Sequence, residues 1–178
     1  MDTKSLHTLE FDKVLTILAG YTSFSAGTEL ARTLHPTTDP ITAELWQAET
    51  QEAMLLLDTH SNITIGGTRD VRRAVDNAEH GFTLPAENLL EIRSTIVAAR
   101  NLNRQLLKVA DEFPHLAAVA ELIEPCTGIV SAISQSIDDR GEVLDSASPK
   151  LAKIRQEQRS VNGRIQDKLQ RILNGNNN

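Results

Sequence analysis

"LPAENLLEIRSTIVAARNLNRQLLKVA", Leu84 to Ala110, is the longest stretch with a single rhythm. Its apolar residues are Leu89, Leu90, Ile92, Ile96, Val97, Leu102, Leu106 and Val109; within them Leu89, Ile92 and Ile96, and again Leu102, Leu106 and Val109, recur at three- and four-residue steps. That is the spacing of one helix face. Pro85 suits the first turn, where a missing N–H costs nothing. The pattern predicts a long central helix from Leu84-Pro85 to about Ala110. A helix with such a face needs neighbours of the same kind to cover it.

The flanking sequence supplies them. Leu9, Phe11, Val14, Leu15, Ile17 and Leu18 keep a helical rhythm that ends at Gly20. Ser25 is placed to cap a second helix through Leu34, stopped by Pro36. Asp39-Pro40 opens a third, with aspartate as cap and proline at the first helical position, running to about His60. "NITIGG", Asn62 to Gly67, breaks the pattern as a loop or short extended segment. Arg69 to Glu79 is expected to be a short helix stopped by Gly81. Beyond the central helix, one helix starts at Pro114 and ends near Pro125, and another runs from about Gly128 to Ser136.

"IDDRGEVLDSASPKLAKIR", Ile137 to Arg155, then turns a corner. Val143 and Leu144 favour a hairpin-like bend. Asp145 and Ser146 are placed to satisfy helix N–H groups, and Ser148-Pro149 forms a cap followed by proline. In the last helix Leu151, Gln158, Ile165 and Ile172 are seven apart, with Ile154, Val161 and Lys168 between them. This is a heptad seam, imperfect at Gln158 and Lys168. Leu151, Ile154, Val161, Ile165 and Ile172 are its apolar candidates. Gly163 costs this helix about 1 kcal/mol relative to alanine, and fraying is expected beyond it, since unpaired helices are marginal in water. The Asn-rich end cannot add a core. The chain is expected to be a piece that stops at the base of an arm.

Composition agrees with an all-α fold. Aromatic residues are only 3% of the 178, so Leu, Ile, Val and Ala must build the core. No apolar run approaches the roughly 20 residues of a membrane span, and the N-terminus has no signal-like apolar centre. A cytoplasmic protein is expected. The net charge of −6 is unevenly spread. Pro149 to Arg171 holds seven bases and two acids, a balance of +5, against −11 for the rest. A basic arm on an acidic body suits an approach to nucleic acid or another acidic partner. The domains are expected to be 1–148, a helical core, and 149–178, the start of a basic, coiled-coil-like arm.

No stretch matches G-x-x-x-x-G-K-[ST], G-x-G-x-x-G or H-E-x-x-H. The five histidines have no spacing suited to metal ligation on one helix. Cys126, the one cysteine, is expected to be a small buried apolar residue. The acids from Asp138 to Asp145 fail as a calcium loop. With Gly141 at position 6, Arg140 falls at position 5 and Ala147 at position 12. A small enzyme built on these carboxylates is therefore disfavoured beside a structural turn. No catalytic, cofactor or metal residue is assigned.

Three stretches together resemble a known family. "TLEFDKVLTILAGYTSFSAGTELARTLHP", Thr8 to Pro36, carries Leu9, Phe11 and Asp12, then Ala26, Gly27, Leu30 and Ala31, and the closing Pro36. "GGTRDVRRAVDNAEHGFTLPAENLLEIRSTIVAAR", Gly66 to Arg100, carries Gly-Gly-x-x-Asp before a short basic helix, then a glycine and a leucine-rich helix. The corner carries Gly141, Glu142, Asp145, Ser146, Ala147, Ser148 and Pro149. In this order they resemble the start of the bacterial MutS-two proteins, MutS relatives without the mismatch-reading domain.

The resemblance implies a multi-helical core and lever leading into a clamp arm. It implies a homodimeric parent ATPase using ATP and magnesium, and an endonuclease-like domain, both outside this stretch. It also implies branched or double-stranded DNA as partner, suppression of recombination and, for some members, a link to collided ribosomes. No cofactor and no membrane is expected for this stretch itself. Lys150, Lys153, Arg159, Arg164 and Arg171 are the nucleic-acid contact candidates. On the assumed heptad, Lys150, Arg164 and Arg171 share a flank, with Lys153 and Arg159 on the outer face. The alternative is a helical interaction or dimerisation module, pairing through the seam, with no nucleic-acid role.

Overall fold

A computed structural model describes residues 3–60 and 62–175. The Asn-rich end beyond Gly175 lies outside the described residues. The fold is all-α, as the periodicity predicts. The chain divides into two compact units, Met1–Thr127 and Gly128–Asn178.

The first unit holds α1 (Thr3–Thr8), α2 (Phe11–Gly20), α3 (Ser25–Arg32), α4 (Pro40–Thr59), α5 (Arg72–Glu79), α6 (Ala86–Lys108) and α7 (Pro114–Glu121). The rhythm that begins at Leu9 is broken at its second residue. Glu10 adopts a left-handed conformation with φ of 51° and separates α1 from α2. α2 packs on α3, and α7 packs on both α4 and α6.

The core lies where α4, α6 and α7 meet. Leu56, Ile63, Leu106, Phe113 and Ala120 are buried together, with Leu102, Val109 and Leu116 packed against them. Phe113 is 1% exposed, and His60 meets its ring edge-on at 5.7 Å. Ile63 explains why "NITIGG" interrupts the helices: the loop turns one isoleucine into the core.

Three local expectations change. Phe24, not Ser25, is the residue before α3, and the Ser25 hydroxyl donates to Asp70 instead. α5 begins at Arg72 rather than Arg69, because Thr95 on α6 engages the backbone of Arg69, its hydroxyl accepting from the N–H at 2.9 Å. Cys126 is exposed, with φ of 41°, in the turn after Pro125. Asp39 caps α4 as expected, accepting from Thr42 N–H at 3.1 Å.

The second unit holds α8 (Thr127–Ser136) for all but its first residue, a short 3-10 turn (Asp145–Ala147) and α9 (Pro149–Gly175). The sequence boundary at 148/149 falls within this unit, between the turn and α9. α9 runs unbroken through Gly163. No helix of the described residues is long and apolar enough to cross a membrane.

Candidate nucleic-acid interface on the last helix

The acidic corner is built to turn the chain into α9. Ile137 and Val143 form an isolated antiparallel bridge. Leu144 N–H donates to Ser136 at 2.8 Å, and Asp138 N–H to Glu142 at 3.0 Å. The Asp138 carboxylate accepts from the N–H groups of Arg140 and Glu142, both at 2.9 Å. Gly141, with φ of 85°, takes the one position of this turn where a side chain would be strained. Backbone hydrogen bonds, led by that from Glu142, hold the Asp138 carboxyl below the usual range. Asp138 is thus occupied by its own turn.

The next residues fix the start of α9. Ser148 Oγ accepts from Leu151 N–H at 3.1 Å, the expected cap. Asp145 and Ser146 do not cap the helix. Ser146 donates to the Gln135 carbonyl at 2.7 Å. Asp145 accepts from Arg155 at 2.7 Å and from Arg159 at 3.3 Å. The side-chain hydrogen bond from Arg155 is the main cause that lowers the Asp145 pKa. The carboxylate therefore clips the first three turns of α9 to the corner that precedes them.

This clip sorts the cations. Arg159, a nucleic-acid candidate, shares Asp145 with Arg155. Lys150, Lys153, Arg164 and Arg171 make no ion pair among the described residues. At 3.6 residues per turn, Lys150, Lys153, Arg164, Lys168 and Arg171 all fall on one side of the apolar seam, within about 60° of arc. Arg155 and Arg159 fall on the other. Lys153 thus joins the flank of Arg164 and Arg171 instead of the outer face.

The seam is open. Every residue from Gln156 to Asn174 is exposed, and Ile154, Val161, Ile165 and Ile172 are 43–62% exposed. Leu151 alone of the seam candidates is half-buried. Leu169, 55% exposed, belongs to the same side and was missed. A strict seven-residue count puts Lys168 at its place, whereas the four-residue step from Ile165 would have found it. Among the described residues no three His, Cys, Asp or Glu side chains converge as metal ligands.

The chain is 40% identical over 176 residues to the Endonuclease MutS2 of Geobacillus sp. (strain WCH70), covering 97% of this chain and 22% of that protein. It is 35% identical over 175 residues to Endonuclease MutS2 of Symbiobacterium thermophilum and 36% over 176 residues to that of Halalkalibacterium halodurans. The chain belongs to the MutS2 family. It spans 22% of the length of each of these relatives. No family model matches it. The similarity runs through all three stretches that carried the resemblance, and through α9. In this MutS2 region the basic flank, the open seam and the capped corner all lie on one stretch of chain, Ile137 to Gly175.

Proposed function

We propose that this chain is the non-catalytic helical region of a MutS2-type protein that leads into a DNA clamp, with α9 as the first half of the clamp arm. The reading is carried by one observation: nineteen successive exposed residues of α9, Gln156 to Asn174, combine an open apolar seam with an unpaired basic flank. The seam would receive the returning helix of the arm. The flank would meet phosphates without reading sequence, so that affinity falls as salt rises.

The ATP and magnesium of the intact protein would be held elsewhere, since this stretch has no P-loop run to cradle them. Nuclease chemistry, as in the relatives' names, would also lie elsewhere. The region would couple a distant ATPase to the clamp in a homodimer acting on branched or double-stranded DNA, with suppression of recombination as the outcome. Ribosome rescue is a further role that the same arm could serve.

Charge reversal at Arg164 and Arg171 in the full-length protein tests the proposal. Branched-DNA affinity should fall, and the slope of log affinity against log salt should lessen by about 1.8, or 0.9 per lost phosphate contact. Unchanged affinity and slope would remove α9 from the interface.

The open seam favours one second reading, self-pairing with no nucleic-acid role. Sedimentation of the chain, with and without Ile154→Asn and Ile165→Asn, separates the two. A dimer abolished by both substitutions supports self-pairing; a monomeric parent chain counts against it.

A further inference from the structure

A second basic surface lies in the first unit, where charge balance argues against one. Met1 to Thr127 holds ten Lys and Arg against eighteen Asp and Glu. Even so, Arg100, Arg104 and Lys108 recur every four residues near the C-terminal end of α6. At 3.6 residues per turn and 1.5 Å rise they fall within about 80° of arc and about 12 Å of length. They edge an open hollow of about 350 Å³ whose other walls are Asn103, Leu107 and Pro125. Asn103 is held from behind, its Nδ2 donating to the Ala120 carbonyl at 2.7 Å. This fixes the face of α6 that α7 covers and leaves the cations outward.

The cations have not been neutralised by the fold. Asp111, Glu112, Glu121 and Glu124 are exposed on the adjoining segments, yet none makes an ion pair with Arg100, Arg104 or Lys108 among the described residues. Arg104 has only a long hydrogen bond to Asn101, at 3.5 Å. In a unit of net negative charge, unpaired cations set in a line suit a linear polyanion better than a single anion.

We propose that this face of α6 binds the phosphate backbone of nucleic acid, as a second contact surface separate from α9. The choice of nucleic acid over an acidic protein rests on the function proposed above. It is supported by a physical difference: only a polyelectrolyte carries condensed counterions whose release rewards a few fixed cations against an otherwise repulsive body. The arginine forks fit phosphate oxygens in pairs, and Lys108 adds a point charge.

The test uses the 178-residue chain and a fluorescent DNA duplex, titrated at several salt concentrations. Arg104→Glu with Lys108→Glu, both exposed positions, is compared with Arg164→Glu plus Arg171→Glu. The α6 pair should weaken binding about tenfold or more and lower the salt slope by about 1.8. Arg104→Gln with Lys108→Gln, which only removes charge, should move both in the same direction and covers a failure of the first pair to fold. An unchanged affinity and slope for the α6 variants overturns the inference, while loss in the α9 variant alone leaves the arm's role standing. No binding by the parent chain at low salt overturns both. Equal or tighter binding to polyglutamate, lost in the α6 variants, would assign the face to an acidic protein instead.

Discussion

α6 and α9 are the two longest helices, 23 and 27 residues, and both carry a helical apolar stripe with basic residues beside it. α6 spends its stripe on the core: Leu102 and Leu106 pack with Phe113 and Ala120. α9 spends none of its stripe beyond the half-buried Leu151, and from Gln156 to Asn174 none of the described residues covers it. The two patterns look alike because periodicity reports that a face is apolar, not what lies against it. The difference is in the neighbours. α6 is followed within six residues by a helix that packs back on it, whereas the main packing partner of α9 among the described residues is the short turn at its own base.

The largest expected effect compares the same kind of deletion in both places. Phe113→Ala should cost about 3–5 kcal/mol, because it empties a filled core. Ile165→Ala in the isolated chain should stay within about 0.5 kcal/mol, as for an ordinary surface change. Urea unfolding of both variants checks this. A large loss for Ile165→Ala would mean that α9 is already covered.

A smaller effect concerns the helix that covers α6. The Glu52 carboxylate on α4 accepts from the N–H groups of His115 at 3.2 Å and Leu116 at 2.9 Å, and from His115 Nδ1. It thereby caps α7 from 63 residues away. Burial works against its ionisation, but the hydrogen bonds from Leu116 and His115 outweigh it and hold the pKa below the ordinary 4.5. Its stabilisation is therefore present above pH 4.5 and lost as the pH falls through the lowered value. Glu52→Gln should cost about 2 kcal/mol at pH 7. The gap between the two proteins should close in acid. Stability curves at pH 7 and pH 3 check both the size and the sign.

Two further substitutions act on α9 alone. Ser148→Ala removes the cap and should cost the helix about 1 kcal/mol, read as faster amide exchange in its first two turns. Gly163→Ala should add roughly 0.5–1 kcal/mol of helix stability, since a Cβ there meets nothing within 4 Å. Ellipticity at 222 nm should rise.

How much of this was legible in the sequence depends on how far apart the partners are. The α4 start at Asp39-Pro40, the α6 span and the Ser148-Pro149 cap are local chemistry, and they stand as expected. The hairpin-like corner is local too, a turn of seven residues closed by Asp138 and Gly141. The Glu52 cap of α7 and the Ser25–Asp70 hydrogen bond join residues 63 and 45 apart, and no local pattern announces them. Asp145 looked like a cap because it precedes a helix. Instead it faces Arg155 and Arg159, which lie about two and three turns into α9. The α6 cations were passed over because the overall negative balance of their unit hid a run of three. The family was readable because each of its three stretches is a local, unbroken run of sequence.

Amide hydrogen exchange on the isolated chain tests the central claim, that α9 is a helix awaiting a partner. The account predicts that amides from Ser160 to Asn174 exchange far faster than those from Leu102 to Leu106 in α6, and, on the proposal that α9 is half of a clamp arm, that they slow in a full-length MutS2 protein. Protection of α9 equal to that of α6, in a chain that sediments as a monomer, would contradict it.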